Sequence, residues 1–341
     1  MTKPILRPLT RRAFWPMAAG MFSLVVGCSR QRATLKSQAG LSPAEIRSIT
    51  HMMGTTQVPK APQRIIALGG LSELEALLVL GIQPFAAAGD DRGLRTVWQP
   101  HMKDQLQGVK MLPSRRNISL ERLAALQPDL MLATSSQFQG NIYPQLSQIA
   151  PTVVLEHRQF WQENLRLIAQ IVNQTEQAET WISAFEQRLA TLANTYGEAL
   201  AGTTYTMAFY FPDQRQFELM EGDDLDLAVR QIGLERPLEQ SKLIDERGGD
   251  ARRFRISLER LDLIDTDILF IYYYQYPTIK KASELPELNR FLEEEPVLRR
   301  LRAVQTDHVF MVPAYYWFHG GAMGLPLAID DLAAEVLPLF T

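Results

Sequence analysis

Ile118-Ser119-Leu120-Glu121-Arg122-Leu123 occurs again as Ile256-Ser257-Leu258-Glu259-Arg260-Leu261, 138 positions later. The first copy runs through Ala124-Ala125-Leu126-Gln127-Pro128-Asp129 into the apolar Leu130-Met131-Leu132. The second runs through Asp262-Leu263-Ile264-Asp265-Thr266-Asp267 into Ile268-Leu269-Phe270. Self-similarity at so long an offset fits two lobes built on one plan rather than a solenoid. Ser119 and Ser257 are suited to cap a helix N-terminus. Leu120 with Leu123, and Leu258 with Leu261, give the i, i+3 spacing of a short buried helix face. Pro128 stops the first helix and an apolar run follows, so each unit reads helix, tight turn, strand. Two lobes leave a cleft between them, and small ligands bind in such clefts. Glu121 and Glu259 fall in the first turn of each helix, where the dipole favours a carboxylate. One exposed acid per lobe also suits docking to a two-fold-related partner.

Outward from the repeat, strands alternate with helices. Arg64–Leu68 reads as a buried strand, Gly69-Gly70 as a turn and Ser72–Leu80 as a helix, with another strand after Gly81-Ile82-Gln83-Pro84. This order predicts parallel βα units. Beyond Ala150-Pro151-Thr152-Val153-Val154-Leu155 the pattern becomes helical. Trp161, Leu165, Ile168 and Val172 mark one face, Trp181, Phe185, Leu189 and Leu192 a second, and Thr175 is a candidate cap between them. In the second half, Thr203–Phe211, Ile268–Tyr272 and His308–Val312 read as strands. Asp224–Ile232, Leu285–Leu301 and Leu325–Leu339 read as helices.

The amino terminus reads as a leader. Lys3, Arg7, Arg11 and Arg12 precede the apolar run Ala13–Val26, which ends at Leu24-Val25-Val26-Gly27-Cys28. That ending resembles a bacterial lipobox, with Cys28, the single cysteine of the chain, as the lipidated residue, and Thr10-Arg11-Arg12-Ala13-Phe14 resembles a twin-arginine export signal. Residues 28–50 read as the lipidated cysteine and a flexible tether. Removing residues 1–27 leaves 31 basic against 38 acidic residues, about −7, which argues against nucleic-acid binding. The remaining composition, 46% apolar and 21% charged, is that of a globular chain.

From about His51 onward the chain resembles the periplasmic binding proteins of iron-siderophore, haem and cobalamin ABC importers. The resemblance rests on Pro59-Lys60-Ala61-Pro62-Gln63-Arg64-Ile65-Ile66, on Leu78–Pro84, on Asn117–Asp129, on Ala150-Pro151-Thr152-Val153 and on the second Ser-Leu-Glu-Arg-Leu. It implies an α/β fold of two Rossmann-like βα lobes joined by a long rigid helix, with the ligand in the cleft. On that basis residues 51–172 form the first lobe, 173–197 the interdomain helix and 198–341 the second lobe. It also implies that Glu121 and Glu259 pair with arginines of the membrane permease, which works with an ATPase subunit.

A ferric siderophore is the expected ligand. The five histidines, at 51, 101, 157, 308 and 319, are scattered, so direct binding of a bare metal is disfavoured and no intrinsic cofactor is expected. A chelate whose iron is already saturated needs arginine donors and aromatic walls. Arg115 and Arg116 precede the first repeat copy, and the resemblance places a basic residue there on the iron-bound oxygens. Trp317-Phe318-His319-Gly320, with Tyr316 before it, resembles a tryptophan turn walling the pocket. Shifting Ser135-Ser136-Gln137 by the repeat offset gives Tyr273-Tyr274-Gln275, so Gln137, Tyr273 and Tyr274 should face one cleft, with only one tyrosine pointing inward. Of Arg252, Arg253 and Arg255, Arg253 is the candidate completing a cationic site. Cobalamin, haem or ferric citrate are the rival ligands. An anchored α/β enzyme is the rival class, for which the chain shows no Gly-x-Ser-x-Gly, His-Glu-x-x-His or Gly-x-Gly-x-x-Gly motif. The expected protein is a monomer held by lipid on the outer side of the cytoplasmic membrane, and not an enzyme.

Overall fold

A five-stranded parallel sheet and a six-stranded mixed sheet, with a 26-residue helix between them in the chain, carry the architecture. The computed structural model describes residues 45–88, 100–112, 119–135, 142–156, 160–220, 224–246, 253–274, 278–286 and 294–340. The first lobe opens with a hairpin, β1 (Ile46–His51) and β2 (Gly54–Pro59). There follow β3 (Ile65–Ala67), α1 (Leu71–Val79), β4 (Ala86–Ala88), β5 (Lys110–Leu112), α2 (Leu120–Ala125), β6 (Leu130–Thr134), α3 (Ile142–Ile149) and β7 (Thr152–Leu155). The strands β5-β4-β3-β6-β7 form the parallel sheet. Every residue of β3, β6 and β7 is buried, as continuous apolar runs in a sheet covered on both faces require.

Helices α4 (Trp161–Val172) and α5 (Thr175–Leu200) lead to the second lobe. That lobe contains β8 (Tyr205–Phe211), β9 (Gln216–Met220), α6 (Asp224–Ile232), α7 (Leu238–Glu246), β10 (Arg253–Ser257), β11 (Ile268–Tyr273), β12 (Lys280–Lys281) and β13 (Val309–Pro313). Its sheet runs β10-β9-β8-β11-β13-β12, with β8, β11 and β13 parallel and the other pairings antiparallel.

The repeat has the same topological meaning in both lobes. From edge strand β5 the chain passes through α2, skips β4 and β3, and enters as β6. From edge strand β10 it passes through the second copy, skips β9 and β8, and enters as β11. The equivalence extends to one residue pair. Asp129 accepts the backbone N–H of Gln63 at 2.7 Å and of Arg64 at 2.9 Å, at the entry to β3. Asp267, its repeat partner, accepts the Thr204 N–H at 2.8 Å and hydroxyl at 2.6 Å, at the entry to β8. Burial alone raises the Asp267 carboxyl, but the Thr204 donors and Arg302 hold it below its ordinary value. Each aspartate thus pins the strand that neighbours its own.

Several local expectations change. Ser119 caps α2 by accepting the Arg122 N–H at 3.3 Å. Ser257 caps nothing, because it belongs to β10 opposite Gln216, and Leu258–Ile264 is a kinked 3-10 helix. Residues Ile46–Thr50, assigned to the tether, are strand β1. Asn173 ends α4 in the left-handed conformation (φ 61°) and Gln174, not Thr175, precedes α5. Pro296–Arg300 is a 3-10 helix rather than part of a long helix. The terminal helix is α-helical over Gly324–Asp331, then a π turn over Leu332–Val336 and a 3-10 turn over Leu337–Phe340. Among the described residues no helix is long and apolar enough to cross a membrane.

Candidate functional site

In an open α/β sheet the ligand side lies beyond the carboxyl ends of the parallel strands. In the second lobe those ends are Phe211 of β8, Tyr273 of β11 and Pro313 of β13. The pairing register there, Ile271 beside Ala208 and Tyr272 beside Val312, sets Phe209 next to Tyr272 on one face of the sheet. The face continues outward through alternate residues as Phe211 and Tyr274. Ring centroids of Phe209 lie 4.9 Å from Tyr272, 5.9 Å from Tyr274 and 5.0 Å from Phe318, and Tyr315 stands 5.4 Å from Tyr274. The Tyr274 hydroxyl and His319 Nε2 are 3.0 Å apart, with the donor set by the imidazole tautomer. Phe209, Phe211, Tyr274, Tyr315, Phe318 and His319 are all half-buried, an aromatic shelf with area left for a partner. At its edge the Arg255 guanidinium lies 5.4 Å from the Phe211 ring centroid and its Nε donates to Glu218 at 2.9 Å. This shelf offers apolar walls, a phenol and an imidazole.

The expected site residues do not all come together. Tyr274 and His319 meet on the shelf, whereas Tyr273 alternates to the opposite face with the buried Ile271 and Leu269. Tyr316 and Trp317 are buried rather than half-buried on the shelf. Trp317 is 1% exposed and packs on Phe270 at 5.0 Å, and both residues donate to Asp331 Oδ2, the Tyr316 hydroxyl at 2.6 Å and the indole N–H at 3.0 Å. Burial raises the Asp331 carboxyl above its ordinary value against the pull of those two donors. Burial and the bond to Asp331 raise the Tyr316 phenol. Arg253 stands in edge strand β10 opposite Met220, two residues before Arg255. Arg115, Arg116, Gln137 and Cys28 lie outside the described residues. Glu121 and Glu259 are both exposed, and neither carboxylate has a hydrogen-bond or ion-pair partner among the described residues.

Phe209, Phe211, Tyr315 and Phe318 were not singled out from the sequence. The signal for Phe209 and Phe211 was the aromatic alternation of Thr203–Phe211, and Phe318 stands inside the quoted tryptophan turn. Two further acids gave no sequence signal. Glu73 and Glu75 on α1 are both 0% exposed. Glu73 accepts the Thr134 hydroxyl. Glu75 Oε2 accepts three backbone N–H groups of the second lobe, from Gly321 at 2.7 Å and from Met323 and Gly324 at 3.0 Å each. Among the described residues no group of three or more His, Cys, Asp or Glu side chains could hold a metal ion.

The chain is 29% identical over 306 residues to the probable siderophore-binding lipoprotein YfiY of Bacillus subtilis, covering 88% of this chain and 91% of that one. It is 27% identical over 305 residues to the Fe(3+) dicitrate-binding periplasmic protein FecB of Escherichia coli, covering 88% and 92%. Its fold matches the crystal structure of Staphylococcus aureus SirA complexed with staphyloferrin B at a TM-score of 0.68 and 22% identity, over 84% of this chain and 97% of that one. Residues 66–316, most of both lobes, match the Periplasmic binding protein family, and the chain belongs to that family.

Proposed function

We propose that this chain is the substrate-binding component of an ABC importer, capturing a ferric siderophore between its lobes and delivering it to the permease. The observation that carries the reading is the aromatic shelf with its Tyr274–His319 pair at the carboxyl ends of β8, β11 and β13. A chelate that already saturates its iron presents a bulky surface with polar oxygens, and rings with a few fixed donors suit it. Relatives bearing the names siderophore-binding lipoprotein and Fe(3+) dicitrate-binding protein support the same ligand class. In this reading Arg115, Arg116 and Gln137 complete the cleft from the first lobe, and Arg253 or Arg255 lends charge from the second. Cys28 carries a lipid that keeps a monomer on the outer face of the cytoplasmic membrane. Glu121 and Glu259 dock to the permease, and the ATPase subunit supplies the energy. The ligand undergoes no reaction.

The test is a tryptophan-fluorescence titration of the full chain with ferrichrome, ferric enterobactin, ferric dicitrate, haem and cobalamin. Saturable quenching by a ferric chelate with Kd below about 1 μM, roughly −8 kcal/mol, is expected, and none with its iron-free form. Tight binding of haem or cobalamin alone overturns the ligand. Binding of none of the five overturns the reading.

A further inference from the structure

The segment 315–324 is held at two places, and the residues between them are those that reach the shelf. At its start, Tyr316 and Trp317 are tied to Asp331 of the same lobe. At its end, Gly321, Met323 and Gly324 donate their N–H groups to Glu75 of the first lobe, and Ala322 accepts from the Trp181 indole of α5 at 2.8 Å. Phe318 and His319 lie between these anchorages. A fully buried carboxylate from α1 thus caps the N-terminus of the Gly324–Asp331 helix across the lobe boundary, where the helix dipole and free amides favour an anion. Close approach is built into the residue types. A Cβ at Gly321 would stand 3.1 Å from Glu75 Oε2, and one at Gly324 would stand 2.9 Å from the Tyr316 Cβ and 3.2 Å from Glu75 Oε1. Oε1 has no hydrogen-bond partner among the described residues and faces His101 Nε2 at 3.5 Å, with the Tyr316 ring edge-on to that imidazole at 5.7 Å.

We propose that Glu75 is a positioning residue for the cleft: from the first lobe it holds the second-lobe segment Gly321–Gly324, and so sets where Phe318 and His319 stand towards a bound chelate. This deepens the binding reading above and rests on it for the ligand. It makes the contact between lobes and the geometry of the shelf one mechanical unit. An importer that pulls the lobes apart would release Phe318 and His319 by breaking these three bonds.

The test is hydrogen–deuterium exchange on the full chain without ligand, paired with dissociation rates measured with ferric dicitrate and ferrichrome as probes. Glu75→Ala is expected to speed exchange of the amides at 321–324 by about tenfold or more, and to raise the probe dissociation rate by a similar factor. Glu75→Gln is expected to restore both, because all three amides use one oxygen and a carboxamide oxygen can accept them. Ile168→Ala, a cavity in the first-lobe core, controls for general loosening. It should lower Tm while leaving the 321–324 amides protected relative to the rest of the chain. Unchanged exchange in Glu75→Ala overturns the cross-lobe contact. Faster exchange with an unchanged dissociation rate overturns the positioning role. A wild-type chain that binds neither probe counts against the ligand class, while the exchange arm still decides the contact.

Discussion

At the residue scale, Asp331 explains why Trp317 is buried rather than on the shelf. A tryptophan in a turn after the last core strand reads equally as a cleft wall or as packing, because sequence position does not say which way the short helix Ala314–Trp317 rotates its side chains. The carboxylate fixes the rotation by accepting the Tyr316 hydroxyl and the Trp317 indole on one oxygen. Asp331→Ala should therefore remove the acceptor that two buried donors share and lower stability by about 2–4 kcal/mol. Asp331→Asn keeps an acceptor and removes a charge that burial disfavours, so its cost should stay below about 1 kcal/mol. Urea denaturation of both variants at pH 7 checks this, and equal losses would sink the account. The Tyr273–Tyr274 ambiguity has a similar origin. Strand alternation gives the two rings opposite faces, and the pairing of β11 with β8 and β13, which joins distant segments, puts Tyr274 on the face of Phe209 and Tyr272.

At the element scale, helices with long periodic faces were legible, and α6 runs from Asp224 to Ile232 as its pattern reads. The β1–β2 hairpin was not, because only Ile49, His51, Val58 and Pro59 of it are buried, and the exposed rest resembles a tether. Its task is to cover the edge of β7. The Val154 N–H donates to His51 Nδ1 at 3.2 Å, the Met53 N–H donates to the same atom at 3.3 Å, and the Thr56 hydroxyl donates to the Thr152 carbonyl at 3.3 Å. Accepting at Nδ1 requires a neutral ring with its proton on Nε2, where it meets the Thr56 oxygen at 2.8 Å. Burial accordingly lowers the His51 value below the ordinary 6.5. Below pH 6.5 the unfolded chain therefore binds more protons at this residue than the folded chain does. The hairpin's contribution is complete above that pH and declines as pH falls towards the lowered folded value. The protection factors of the Met53 and Val154 amides, taken relative to the intrinsic exchange rate at each pH, should fall as pH is lowered from about 7.5 to about 5. His51→Gln should flatten that pH dependence. A slope that persists in the variant would assign it to another group.

At the scale of the whole molecule, the repeat told more than any single motif. Two copies at one offset implied two lobes, and both sheets use them for the same crossover from edge strand to fourth position. What the repeat could not disclose is how the lobes meet. Glu75 and the amides of Gly321–Gly324 are separated by nearly 250 positions, and no local periodicity marks either partner. The proposed docking depends on both halves keeping their spacing. Glu121 and Glu259 occupy equivalent positions of the two copies, both exposed, one per lobe. If each meets a cation of the permease, truncating one partner of a close interfacial charge pair costs about 2–5 kcal/mol. Glu121→Ala and Glu259→Ala should each reduce iron-dependent uptake strongly, and the double variant should abolish it. Affinity for the ferric chelate should stay within about twofold, since neither carboxylate touches the shelf. Exchanging either glutamate for lysine should be worse than alanine, because it sets like charges against each other. Uptake in cells compared with fluorescence titration of the same variants separates docking from binding. Parallel loss in both measurements would move the two glutamates from the docking face into the ligand site.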